Sequence, residues 1–229
     1  MRSDQVLVFD ADDTLWENNV VFERVIADFL DWLAHPSLGR AELRAVLDEV
    51  QSANAVTHGY GSRMLVRSLR DCVARLRGRP ATAVESAEID ALAAVLISHQ
   101  VEPVPGAAET LARLGERHTL LLLTKGDTEE QQRKIDSSGL ARHFRAVEIV
   151  PEKGEATYRR FVAAHGIVPA DGWMIGNSPK SDILPARRAG LNAVFIPNDN
   201  TWVLEHTELD PDDPGVLRLR GITELLDHF

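Results

Sequence analysis

Short apolar runs alternate with amphipathic stretches over much of the chain, and this alternation most constrains the fold. The runs are apolar almost throughout, as strands buried on both faces of a sheet are. They cover residues 6–9, 119–123, 146–150, 173–175 and 193–196. Stretches of helical periodicity cover residues 107–116, 128–138, 153–165 and 179–189. The pattern predicts an α/β fold, a doubly wound and Rossmann-like core with a parallel sheet.

One long segment interrupts the alternation. From about residue 18 to residue 100 there is no strand-like run, and helical periodicity covers 20–34, 40–56, 63–76 and 84–98. Pro103, Pro105 and Gly106 then mark the return to the alternating region. We therefore predict an α/β core domain of residues 1–17 and 101–229, with a helical domain of residues 18–100 inserted after the first strand.

Net charge restricts the partners. The chain has 35 acidic and 25 basic residues, which gives a formal charge of −10. This charge disfavours broad binding to nucleic acid or to an anionic membrane. A small phosphorylated ligand is compatible with it, because a metal ion and one or two local cations override the distant field.

Cysteine usage and the lengths of the apolar segments bear on location. Cys72 is the single cysteine, so no intrachain disulfide forms, and we expect it to be a small buried helix residue. No segment approaches the roughly 18 apolar residues of a spanning helix, and the N-terminus lacks the pattern of a signal peptide. We expect a cytoplasmic protein with no membrane partner, and the oligomeric state stays open.

Three carboxylates follow directly on the first apolar run. Asp10, Asp12 and Asp13 lie within four residues and repel one another unless a cation intervenes. Such oxygen ligands suit Mg²⁺, which shares its other positions with water and substrate phosphate. The alternative is an acidic loop that caps a helix.

The second apolar run is followed by residues suited to an anion. Thr124 supplies a hydroxyl, Lys125 a cation, and Gly126 a turn in which backbone amides can approach phosphate. Asp127 and Glu130 come next and have the spacing of a helix-capping box. We therefore expect Asp127 to cap a helix.

The third and fourth apolar runs also end in polar groups. Lys153 follows the third and could neutralise an aspartate and a phosphoryl group together, although a lone lysine is usually solvated. Asn177 and Asp182 follow the fourth, where Asp182 could instead be an ordinary turn residue. Ligands of open α/β sheets bind at the carboxyl ends of the strands, which favours one shared site.

The polar groups that follow these four apolar runs, in this order, resemble the motifs of the haloacid dehalogenase-like superfamily over the α/β core. The helical insert resembles the C1 cap of that family. The motifs matched in chain order are D-x-D-x-T by Asp10, Asp12 and Thr14, a strand-end threonine by Thr124, a lysine by Lys153, and G-D-x-x-x-x-D, with one change, by Asn177 and Asp182.

The resemblance implies an activity and a cofactor. It implies that Asp10 is the nucleophile that forms an aspartyl-phosphate, that Asp12 is the general acid and then base, and that Mg²⁺ assists. The substrate would be a small phosphorylated metabolite, because dehalogenating members lack an acid at the position of Asp12. The implied metal ligands are Asp10, Asp12 through its backbone carbonyl, Asp182 and Asn177, and the implied phosphoryl-binding residues are Thr124, Lys125, Gly126 and Lys153.

Two positions depart from the family pattern. Asp13 stands where phosphatase members often have glycine, and Asn177 replaces the first acid of the fourth motif. Asn177 keeps a carbonyl oxygen, so we expect weakened metal affinity rather than a dead site. Two alternatives stay open: a phosphomutase with the same core residues, and a non-catalytic phospholigand-binding protein, which Asn177 motivates.

Substrate specificity is expected to come from the inserted domain and from residues beside the first motif. For Trp16 the ordinary alternative is packing, and for Arg63 it is a solvated helix position. The candidate contacts are Trp16, Asn18, Asn19, His58, Tyr60 and Arg63, with Trp202 and His206 as weaker candidates.

Overall fold

The computed structural model describes residues 4–98 and 100–229. The chain divides into two compact units. The α/β unit comprises Met1–Asn19 and Gln100–Phe229, and the helical unit comprises Val20–His99.

The α/β unit is built on a parallel sheet. Its six strands within the described residues are β1 (Val6–Phe9), β2 (Thr119–Lys125), β3 (Ala146–Val150), β4 (Gly172–Gly176), β5 (Asn192–Phe195) and β6 (Val216–Arg218). They are ordered β3-β2-β1-β4-β5-β6, and every neighbouring pair is parallel. The strand order reverses at β1, so the topological switch point, where such sheets bind ligands, lies at the carboxyl end of β1.

Helices flank the strands in sequence, and four of them form the helical unit. Among the described residues, no helix has the length and apolar character needed to cross a membrane. The α-helices of these residues are α1 (Asn19–Leu33), α2 (Arg40–His58), α3 (Ser62–Arg77), α4 (Ala83–Ser98), α5 (Ala107–Gly115), α6 (Thr128–Ser138), α7 (Glu155–His165) and α8 (Leu184–Arg188).

Both faces of the sheet are covered by helices. Leu7 and Phe9 of β1 pack on one face with Leu111 of α5. Val8 packs on the other face with Phe161 of α7. Successive side chains of a strand point to opposite faces, so a strand between two helical layers has to be apolar throughout. This explains the continuous apolar runs in the sequence.

The helical unit has its own apolar core. Phe29 of α1, Leu47 of α2, Leu69 of α3 and Ile89 of α4 belong to one cluster and are fully buried. Cys72 lies in the same cluster, and burial raises the pKa of its thiol to about 11. The thiol is therefore protonated at neutral pH, and the expectation of a buried helix cysteine is confirmed.

Replacing Leu47 by alanine is expected to destabilise the helical unit by about 2–5 kcal/mol, because its fully buried side chain would leave a cavity. Urea unfolding followed by circular dichroism measures this loss. Val56→Ala on the same helix is the matched control, since that side chain is 90% exposed and should matter by less than about 0.5 kcal/mol. Equal losses in the two variants would contradict the core assignment.

The predicted fold class is confirmed, and the differences concern one helix and one strand. The sequence predicts one helix over residues 179–189, but Pro179–Ile183 is a π-helical turn and α8 follows it. Pro185 has no N–H to donate to the carbonyl of Ser181, which instead accepts from the hydroxyl of Tyr158 at 2.9 Å. Strand β6 was not predicted, because three residues are too few to show a periodicity.

Candidate active site

Two buried carboxylates and a lysine meet at the carboxyl edge of the sheet. Asp10 follows β1 directly, and its backbone N–H donates to Ile175 of β4 at 2.9 Å. Lys153, in the segment between β3 and α7, donates from Nζ to Asp10 Oδ1 at 2.5 Å and to Asp182 Oδ1 at 2.8 Å. The Lys153 residue is 3% exposed and Asp182 is 1% exposed. The three residues meet because parallel strands end at one edge.

Burial and charge set the protonation of this group. Burial, reinforced by the charge of Asp182, raises the pKa of Asp10 to about 7, although Lys153 opposes this shift. Burial alone would lower the pKa of Lys153, but the two carboxylates hold it above its ordinary value. The ammonium is therefore charged. When both carboxylates are ionised, the two carboxylates and one ammonium carry a net charge of −1.

Thr14 and Asn177 complete the floor of the site. The Thr14 hydroxyl lies 3.0 Å from Asp10 Oδ2 and 3.3 Å from Asn177 Oδ1. The Asn177 amide nitrogen donates to Thr201 Oγ1 at 2.9 Å. This second bond fixes the orientation of the amide, with its oxygen towards the Thr14 hydroxyl.

The residues at this edge fit a divalent cation. Asp10 and Asp182 offer carboxylate oxygens and Asn177 offers an amide oxygen, which are the hard ligands that Mg²⁺ prefers. The net negative charge of this buried group favours the binding of a cation. Among the described residues, no three His, Cys, Asp or Glu side chains converge on one point. Two carboxylates, Asn177 and backbone carbonyls would therefore hold the metal, with water and phosphate completing its shell.

The side chain of Asp12 is held by three donors. Trp16 Nε1 donates to Asp12 Oδ1 at 2.7 Å, and Gln131 Nε2 donates to Oδ2 at 3.0 Å. Lys134 Nζ contacts both oxygens, at 3.2 Å and 2.9 Å. Gln131 and Lys134 lie three residues apart on α6, so they share one face of that helix. The carboxylate is thus oriented by contacts separate from those of Asp10.

Thr124 and Gly126 lie at the end of β2 beside the same α6 residue. Gln131 Nε2 also lies 2.9 Å from Thr124 Oγ1. The N–H of Gly126 donates to the carbonyl of Val150 at 3.0 Å, so that amide already has an acceptor. Gly126 has a φ of 141°, a conformation that favours glycine. Asp127 caps α6 by accepting from the Glu130 N–H at 3.0 Å, as the sequence predicts.

Lys125 contacts a serine and an acid beside the site. Its Nζ donates to Ser181 Oγ at 2.7 Å and to Glu205 Oε1 at 2.6 Å. A role for Lys125 in binding phosphate stays a prediction, and the structure shows it in a buried network with an acid from the C-terminal part of the chain.

Asp13 stabilises the start of α1. Its Oδ1 accepts from the backbone N–H groups of Asn18 and Asn19, both at 2.9 Å. Asp13 has a φ of 61°, in the left-handed region where short polar side chains and glycine are tolerated. A glycine at this position would keep the turn and lose the cap.

The remaining candidate contacts lie in different surroundings. Trp16 is 1% exposed and its indole N–H is engaged by Asp12, so the structure shows it in a packing role. Asn18 Oδ1 accepts from Lys134 Nζ at 2.7 Å. His206 is exposed, with Nε2 2.9 Å from the carbonyl of Thr201. His58 and Arg63 line a cavity of about 510 Å³ in the helical unit, together with Met64, Arg67, Arg70 and Asp71.

Sequence reasoning missed four residues that surround the site. Gln131 and Lys134 could have been found, because they follow the second motif on one face of a predicted helix. Thr201 and Glu205 gave no signal, since the segment after β5 contains only the short 3-10 turn Val203–Glu205, which is too short to show a pattern.

A switch-point site with two acids and a lysine places the chain among the α/β proteins that bind ligands at strand ends. The chain belongs to the haloacid dehalogenase-like hydrolase family, whose model matches residues 5–190. The resemblance found in the four motifs is thereby confirmed.

Relatives and solved structures agree with this assignment. The phosphoserine phosphatase of Thermus thermophilus is 31% identical over 153 residues, 64% of this chain and 59% of that protein. The N-acylneuraminate-9-phosphatase of Rattus norvegicus is 32% identical over 98 residues, 41% of this chain and 40% of that protein. The chain thus spans about three-fifths or less of the length of both. A haloacid dehalogenase-like family hydrolase from Xanthomonas campestris superposes with a TM-score of 0.83 and 26% identity, covering 100% of this chain and 95% of that one.

Proposed function

We propose that the protein is a Mg²⁺-dependent phosphoric monoester hydrolase that acts on a small phosphorylated metabolite. The observation that carries the proposal is the buried Asp10–Lys153–Asp182 group, with the separately oriented carboxylate of Asp12 two residues beyond Asp10. The two phosphatases among the relatives support it.

The residues divide the reaction between them. Asp10 attacks phosphorus and forms an aspartyl-phosphate, which splits one hard displacement into two easier ones. Asp12 protonates the leaving oxygen and then takes a proton from the hydrolytic water. Lys153 and Thr124 neutralise and orient the phosphoryl oxygens. A bound Mg²⁺ would supply further charge neutralisation, with Asp10, Asp182, Asn177 and the backbone carbonyl of Asp12 as its ligands.

We further propose that the helical unit acts as a cap that selects the substrate. Its cavity is lined by three arginines and one aspartate, so it favours an anionic group. His58 and Arg63 are the candidate contacts in this unit. A ligand that carries an anionic group fits this lining.

A panel of phosphomonoesters tests the proposed function. Purified protein with Mg²⁺ is expected to release phosphate from at least one member, such as phosphoserine, a sugar phosphate or p-nitrophenyl phosphate. Chelation should stop the release and added Mg²⁺ should restore it, while 2-chloropropionate should yield no chloride. Binding of phosphorylated ligands without any release would favour the non-catalytic alternative that Asn177 motivates. Transfer to a sugar hydroxyl without free phosphate would favour a mutase.

Replacing Lys134 by methionine is expected to lower kcat about tenfold while KM changes little, because Asp12 acts in the transition state and would lose its charged partner. Steady-state kinetics with the best member of the panel measures the split. Lys134→Arg should retain most activity, and Arg133→Met, which alters the exposed neighbour on α6, should match the wild type. An unchanged kcat in Lys134→Met would contradict the role of Lys134 in orienting Asp12.

A further inference from the structure

The segment after β5 returns to the loops that carry the site. We call residues 198–205 the return segment. Asn198 Nδ2 donates to the carbonyl of Asp13 at 3.2 Å, and Thr201 Oγ1 accepts from Asn177. Glu205, at the end of the segment, is the most deeply involved of its residues. None of these residues belongs to the four motifs.

The carboxylate of Glu205 is buried and accepts from three side chains. Glu205 is 7% exposed. Its Oε1 lies 2.6 Å from Lys125 Nζ, and its Oε2 lies 2.6 Å from Ser178 Oγ and 2.5 Å from Ser181 Oγ. Burial opposes ionisation, but Lys125 and the two hydroxyls hold the pKa of Glu205 below its usual value. An ionised group buried here costs free energy unless such partners compensate it.

The two serines belong to the turn that presents Asp182. The Ser178 N–H donates to Asp182 Oδ2 at 2.9 Å, while Asp182 Oδ1 accepts from Lys153. The turn is π-helical from Pro179 to Ile183, a geometry that is rare and often found at functional sites. The N–H groups of Asp182 and Ile183 donate to the Ser178 carbonyl at 2.9 Å and 3.1 Å, and Glu205 adds side-chain contacts to both serines of this turn.

Glu205 therefore connects two of the strand-end segments that form the site. On one side it holds Lys125, the residue after Thr124 at the end of β2. On the other side it accepts from Ser178 and Ser181, which both lie in the turn before Asp182. A single carboxylate thus links the end of β2 to the turn that follows β4.

We propose that Glu205 is a positioning residue for the metal and phosphoryl site, acting through Lys125 and through the Ser178–Ser181 turn to preset Asp182. This inference rests on the proposed function. Partners that orient metal ligands typically matter about 10–100-fold for metal affinity or activity.

The decisive substitution is Glu205→Gln, which keeps the size of the side chain and removes its charge. We expect kcat with p-nitrophenyl phosphate to fall about tenfold, and Mg²⁺ to bind several-fold more weakly by calorimetry. KM should change less than about twofold, since Glu205 does not touch the substrate. Glu205→Asp, which keeps the charge, should recover part of the loss. Glu208→Gln, an exposed acid three residues beyond Glu205, should behave as the wild type.

Hydrogen exchange supplies a readout that does not depend on activity. The amides of residues 178 and 180–183 are expected to exchange faster in Glu205→Gln than in the wild type or Glu208→Gln. A variant that is less stable but keeps wild-type kcat and Mg²⁺ affinity below its melting temperature would overturn the proposal, as would unchanged exchange. If the wild-type protein releases no phosphate, that result would contradict the proposed function and not the role of Glu205. Mg²⁺ affinity and exchange would then still decide the role of Glu205.

Discussion

Replacing Asp10 by asparagine is expected to lower phosphate release by about 10⁴-fold or more, because the chain loses the atom that attacks phosphorus. The fold should survive. Asparagine has the same shape, its one oxygen can still accept from Lys153, and its amide nitrogen can donate to the Thr14 hydroxyl. The change also removes the repulsion between two buried carboxylates. Single-turnover and steady-state assays of phosphate release, together with thermal unfolding, measure the two effects.

The matched control for this variant is Asp212→Asn, which alters an exposed acid outside the site. It should retain wild-type rates. Aspartyl-phosphate trapped from the wild type by acid quenching, and absent from Asp10→Asn, would identify the intermediate. An Asp10→Asn protein with more than a few per cent of wild-type activity would refute Asp10 as the nucleophile.

Replacing Lys153 by methionine is expected to lower the free energy of unfolding by roughly 3–5 kcal/mol. The variant leaves Asp10 and Asp182 buried without their shared counter-charge. Activity should be lost as well, because the phosphoryl oxygens lose a cation. Urea unfolding with and without Mg²⁺ measures the change, and Mg²⁺ should raise the stability of the variant more than that of the wild type, since it can supply the missing charge.

Lys180→Met serves as the control for Lys153→Met. Lys180 is exposed, and its Nζ donates to a backbone carbonyl, that of Leu204. Its replacement should cost less than about 0.5 kcal/mol. A Lys153→Met protein as stable as the wild type in the absence of Mg²⁺ would show that the two carboxylates are protonated or separated in solution.

Much of the α/β unit could be predicted because its strands are buried on both faces. Such strands are apolar throughout, which distinguishes them from the amphipathic helices between them. Strand β6 and the turn at Pro179–Ile183 escaped prediction for different reasons. The strand is too short to carry a pattern, and the turn depends on Pro185 and on a contact with Tyr158 that lies far away in sequence.

The candidate residues at the strand ends could be predicted, but their partners could not. Asp10, Lys153 and Asp182 each follow a strand, and parallel strands bring their ends together. The orientation of Asp12 by Lys134 and Gln131 depends on how α6 packs against the face of the sheet. Asp13 appeared in the sequence as a third acid of unknown role, and the structure shows it capping α1.

The sequence alone determined the class of fold, the family and the acids, threonine and lysine at the sheet edge, because strand periodicity and strand-end residues are local properties. The tertiary structure decided which charges face one another. It placed one ammonium between two carboxylates, and it brought Glu205 of the return segment against Lys125 and the Asp182 turn. Those contacts join residues between 24 and 143 positions apart, and no local pattern in the chain specifies the partner.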